Sequence, residues 1–107
     1  VWRGLIVNAY RLERHGPFGS GADIWFHFSV TNSTNDTISY QALGTWVEET
    51  GQFQKSWTYS SLGPGAVLRH RDNINISEPG EYNLWLAIQF SDGTGVRLSG
   101  PIPVSVQ

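Results

Sequence analysis

The sequence predicts an all-β fold, an antiparallel β-sandwich, on three observations. Between Glu78 and Ser91 the residues Tyr82, Leu84, Leu86, Ile88 and Phe90 alternate with Asn83, Trp85, Ala87 and Gln89. That period of two lays one apolar row on a single strand face, and the row needs a second sheet to cover it. From Ala22 to Asn32 the pattern returns, with Ile24, Phe26, Phe28 and Val30 alternating with Trp25, His27 and Ser29. Third, glycine and proline turns cut the chain into about seven strand-length runs, the spacing of a sandwich, and no run reads as a helix.

The first strand is expected from about Arg3 to Glu13, with Leu5 and Val7 on one face and Ile6 and Asn8 on the other. It ends at His15-Gly16-Pro17-Phe18-Gly19-Ser20-Gly21, too rich in glycine to continue a strand. The second strand runs to Asn32 and stops at the polar turn Asn32-Ser33-Thr34-Asn35-Asp36-Thr37, whose side chains bond readily to nearby backbone. Ser39 to Thr50 and Phe53 to Tyr59 form a hairpin about Gly51-Gln52. After the break at Leu62-Gly63-Pro64-Gly65, a fifth strand from Val67 to Ile76 points Ile74 and Ile76 the same way. Glu78-Pro79-Gly80 turns into the long alternating sixth strand, and Ser91-Asp92-Gly93-Thr94-Gly95 closes a hairpin to the last, Val96 to Val106. Pro101 and Pro103 place that strand at an edge or a bulge, since proline cannot donate to a ladder. A Pro-Gly turn leading into a tyrosine and a long alternating strand opens the penultimate strand of many immunoglobulin-like sandwiches, so the class is immunoglobulin-like.

A chain of 107 residues, 39% hydrophobic and 15% charged with a mean hydropathy of -0.26, is expected to be one globular domain with one core. No apolar run approaches the roughly 20 residues that span a bilayer, so membrane insertion is not expected. A net charge of -2 gives no long-range attraction to phosphate, so nucleic acid is not expected as a partner either. Arg69 and Arg71 make a local cationic feature only. With no cysteine, there is no disulfide, thiol nucleophile or thiolate metal site. The chain begins at Val1 and contains no methionine, which points to a domain excised from a larger extracellular polypeptide.

The alternating strand ending in Val30-Thr31-Asn32-Ser33, then Leu62-Gly63-Pro64-Gly65, then Pro79-Gly80-Glu81-Tyr82 and a second long alternating strand together resemble bacterial immunoglobulin-like modules, the cell-adhesion-related CARDB-type domains among them. The resemblance covers roughly residues 22 to 91. It implies a non-catalytic module of an extracellular or cell-surface protein, set in tandem with similar modules or attached to an enzyme, with neighbouring domains as its partners. The tryptophan count and the long first loop depart from that family. Relative to antibody-type domains, Leu84 stands where the second core cysteine would be, two residues after the candidate corner tyrosine Tyr82, so a hydrophobic contact replaces the bridge.

The chain has five tryptophans, and strand alternation decides which of them face water. Leu84, Leu86 and Ile88 claim the interior, so Trp85 points outward, as Trp25 does from the opposite sheet. On the fourth strand Lys55 shares a face with Phe53, Trp57 and Tyr59, and lysine is almost never buried unpaired. The third strand has two registers: Leu43, Thr45 and Val47 inward with Trp46 outward, which is preferred, or Tyr40, Ala42 and Trp46 inward. In the preferred register Trp46, Trp57, Tyr59 and Trp85 share one sheet surface with Gln89 and Glu48 close by and Gln54 out of reach. Flat aromatic rings stack on the apolar faces of sugars while amides and carboxylates bond their hydroxyls, so the surface suits a polysaccharide, as in a carbohydrate-binding module attached to a glycoside hydrolase. The competing reading has these rings packed against the loop from His15 to Gly21, against a neighbouring domain, or in the core.

Other signals are weaker. Asn-X-Ser/Thr sequons begin at Asn32, Asn35 and Asn75, Asp36, Asp72 and Asp92 lie in or near turns without a calcium-loop spacing, and His15, His27 and His70 are scattered. Neither a metal nor any other cofactor is expected. Nor is an enzyme: no Gly-X-Ser-X-Gly elbow is present, and Glu48 and Glu49 would face opposite sides of a strand.

Overall fold

Alternation of apolar and polar residues becomes two stacked sheets. The computed structural model describes residues 4–107, apart from the side chains of Trp57 and Tyr59. Its described residues form β1 (Leu5–Leu12), β2 (Asp23–Asn32), β3 (Ile38–Val47), β4 (Phe53–Leu62), β5 (Val67–Asn75), β6 (Gly80–Gln89) and β7 (Gly95–Val106). One sheet has the order β1-β2-β5 and the other β4-β3-β6-β7, with every pairing antiparallel. The class is the immunoglobulin-like sandwich that the alternation predicts, and β7, the strand carrying Pro101 and Pro103, is an edge.

β2 and β6 supply the two halves of the core. Ile24, Phe26, Phe28 and Val30 from one sheet and Leu84, Leu86 and Ile88 from the other are buried in a single apolar cluster, and Trp25 and Trp85 fall on the outer faces. Full burial of each of these aliphatic or aromatic side chains is worth about 1.5–3 kcal/mol. Leu84 is 0% exposed, so packing does replace the bridge. Tyr82 donates its hydroxyl to the Glu78 carbonyl at 2.7 Å, which makes it the corner tyrosine. Between the sheets, the Tyr10 and Thr45 hydroxyls bond at 3.0 Å, and burial pushes the Tyr10 phenol well above its usual range.

The third strand keeps the preferred register: Leu43, Thr45 and Val47 are buried opposite Ile88, Leu86 and Leu84, while Trp46 is half-buried on the outer face. Tyr40 and Ala42 are buried as well. β4 departs from a simple alternation. Its pairing passes from Gly44–Lys55 to Leu43–Trp57, so Ser56 is an extra residue and the period of two breaks there. The strand also continues past Tyr59 to Leu62, because Ser60, Ser61 and Leu62 pair with Tyr40, Ser39 and Ile38. Arg3, expected in the first strand, lies outside the described residues. Asn8 is a bulge in β1, between the Val7–Val30 and Ala9–Ser29 pairs.

The loop after β1 does not lie on the aromatic face. Phe18, 2% exposed, sits in the core cluster; its amide donates to the Ser105 carbonyl and its carbonyl accepts from Gln107, so the loop closes the sandwich beside β7. At the opposite end Asn32, fully buried, donates its amide to the carbonyls of Asp36 and Leu62 and accepts from the Thr34 amide and hydroxyl. A buried amide with its bonds made fixes two turns at once.

Candidate functional site

The outer face of β4-β3-β6-β7 is built from three rows. In the first, Phe53, Trp46 and Trp85 stand opposite one another on β4, β3 and β6. In the second, Lys55, Gly44, Ala87 and Arg97 cross the whole sheet. In the third, Thr58, Ala42, Gln89 and Gly95 do the same. The small side chain of Ala87 leaves a trough between the aromatic row and Gln89, with Arg97 at one end.

The trough deepens into a depression of about 330 Å³ lined chiefly by Trp46, Phe53, Ala87, Gln89 and Arg97, within the range of small-molecule sites. The Arg97 guanidinium lies 4.7 Å from the Trp85 ring centroid and 5.5 Å from that of Trp46, and its Nη1 donates to Glu48 Oε1 at 3.0 Å. Cation–π contact and ion pairing together hold the guanidinium at the rim. The indole N–H of Trp85 is buried and has no acceptor among the described residues. Glu49 turns away to accept from the backbone and side-chain N–H groups of Asn83, both at 2.8 Å; the backbone N–H bond is the largest cause that lowers its carboxyl pKa.

Of the site residues read from the sequence, Trp46, Trp85 and Gln89 come together on one face. Trp57 and Tyr59 are positions of β4 whose side chains lie outside the described residues. Gln54 points between the sheets, where its amide donates to Asp72 Oδ2 at 3.2 Å. Two residues of this face stand outside the set read from the sequence. Phe53, placed with Lys55 on the outer face of β4 by alternation, is brought beside Trp46 by the β3–β4 register. Arg97 was within reach, because a hairpin pairing Gln89 with Gly95 sets Arg97 opposite Ala87.

The remaining candidates are dispersed. Trp25 lies on the other sheet under the Arg71 guanidinium, 3.9 Å from its ring centroid. Asp36, Asp72 and Asp92 belong to separate turns and strands, and no three His, Cys, Asp or Glu side chains gather among the described residues. The Asn32 sequon is buried with its amide engaged, so that nitrogen is closed to modification, whereas Asn35 is exposed.

No protein-family model matches the chain, and no curated protein matches it. Among solved structures, the CARDB domain of a Pyrococcus furiosus protein, determined in complex with di-metal ions, is similar over 96% of this chain and 87% of its own, with a TM-score of 0.62 at 20% sequence identity. At that identity the likeness concerns the fold: this chain shares the β-sandwich of a CARDB domain, a small β-module.

Proposed function

We propose that the chain is a non-catalytic recognition module of a secreted or cell-surface protein, and that its trough on the four-stranded sheet holds a polysaccharide chain. The observation that carries this reading is the aromatic row of Phe53, Trp46 and Trp85 beside a floor at Ala87, with Arg97 and Gln89 as the facing polar groups. A sugar ring placed there sets its apolar face on the wall and its hydroxyls within reach of a guanidinium and an amide. Neighbouring domains of the same polypeptide are the other partners, and an attached enzyme would gain local substrate concentration from such a module.

The test is titration of intrinsic tryptophan fluorescence with a panel of soluble neutral polysaccharides. A saturable shift that weakens at least about tenfold in Trp46→Ala and Trp85→Ala, with unchanged far-UV circular dichroism, is expected. Silence across a broad panel removes the sugar reading and leaves a spacer or adhesion module.

A further inference from the structure

The outer face of the other sheet has a different chemistry. Strand register again sets its rows: Ala9, Ser29 and Arg69 stand opposite one another on β1, β2 and β5, and beside them Arg11, His27 and Arg71. A depression of about 430 Å³ lies over this block, lined by Ala9, Arg11, His27, Ser29, Arg69 and Arg71 among others. Its cations are unequal. Arg71 donates Nε and Nη2 to the Glu13 carboxylate, which also bonds His27 Nε2 at 2.8 Å. Arg11 and Arg69 are exposed and form no ion pair among the described residues. They flank the two smallest side chains of the face, Ala9 and Ser29, so the floor between them is low.

The hydroxyl oxygens of Ser29 and Thr31 accept from the Asn8 amide at 3.2 and 2.6 Å, which leaves their O–H groups to donate elsewhere. An acceptor above Ser29 therefore meets two guanidinium groups and at least one hydroxyl. The chain as a whole carries a net charge of -2, so this block opposes the charge of the rest of the molecule. It is also narrow. On one side lie Glu13 and Asp23, and on the other the Ile6, Thr31 and Val67 row, where Val67 is 49% exposed. A densely charged polyphosphate would run onto the carboxylates. A polymer with spaced carboxylates and apolar faces between them matches both the cations and the aliphatic row.

We propose that the β1-β2-β5 face binds an acidic polysaccharide through its carboxylates, with Arg11 and Arg69 as the ion-pairing residues and Ser29 as a hydrogen-bond donor. This site is separate from the trough on the other sheet and stands or falls independently of it.

The test is affinity electrophoresis of the folded chain in native gels containing sodium polygalacturonate, with a neutral glucan and sodium polyphosphate in parallel gels, at about 0.01 M ionic strength, where screening is weak. The expected result is retardation by polygalacturonate that exceeds the other two. The Arg11→Gln/Arg69→Gln double variant should bind at least about fivefold more weakly, and added salt of about 0.15 M should weaken the wild type as well. That variant should keep any neutral-polysaccharide fluorescence response, which separates this site from the trough. On the wild type, polygalacturonate should shift the Arg11 and Arg69 Nε–H resonances more than that of Arg71. Equal retardation of the double variant, shifts absent from those two arginines, or stronger retention on polyphosphate would each overturn the proposal.

Discussion

Glu13 holds two basic side chains at once, and that makes it the most strongly perturbed carboxyl on the β1-β2-β5 face. Its bonds to Arg71, and then to His27, lower its pKa from 4.5 to about 2 although it lies at the surface. A depressed folded-state value contributes stability above the unfolded value near 4.5, and the contribution disappears as pH falls through about 2. Urea midpoints measured from pH 6 to pH 2 should therefore fall more steeply for the wild type than for Glu13→Gln over that window, the gap closing at its acid end. Parallel curves for the two proteins would mean that the ion pair contributes nothing in solution, as many exposed pairs do not. Arg71 also lies on Trp25, so Glu13→Gln frees a guanidinium that the cation–π contact still restrains.

At the scale of elements, β3 and β4 approach unusually closely around the Ser56 bulge. A Cβ added at Gly44 would fall on the Gln54 carbonyl oxygen and within 3.0 Å of the Ser56 amide nitrogen. Because the obstacle is backbone, Gly44→Ala has no flexible side chain to push aside and should cost on the order of 3 kcal/mol, read as a lowered urea midpoint. A loss under about 0.5 kcal/mol would show that the two strands are not this close.

The bulge also explains which parts of the site were legible. Alternation is reliable while pairing is unbroken, so Trp46 and Trp85 read correctly from Leu43 to Val47 and Leu84 to Ile88. One inserted residue inverts the faces beyond it. Ser56 carries no local signature, being neither glycine nor proline, so nothing in the sequence marks where β4 changes phase between Lys55 and Trp57. Asn8 in β1 hides the same way. The first loop was opaque for another reason: Phe18 is a lone apolar residue among glycines, and only the position of β7 in space gives it a pocket.

At the scale of the whole molecule, all seven strands contribute to one cluster of buried side chains, from Leu5 on β1 to Val104 and Val106 on β7. Neither sheet has another apolar layer to lean on, and there is no disulfide to hold one sheet while the other opens. A two-layer domain of this kind unfolds as one unit. Trp25 reports from the three-stranded sheet and Trp46 and Trp85 from the four-stranded one, while far-UV circular dichroism reports the backbone of both. In urea the fluorescence and dichroism transitions should therefore superimpose. Leu86, fully buried between its strand neighbours Thr45 and Ser99, tests the coupling. Leu86→Ala should lower stability by about 2–5 kcal/mol through lost transfer energy and the cavity left behind, and should shift both transitions by the same amount. Should fluorescence and dichroism separate in that variant, the sheets would be folding as two units, and the binding faces on their outer sides would no longer share one scaffold.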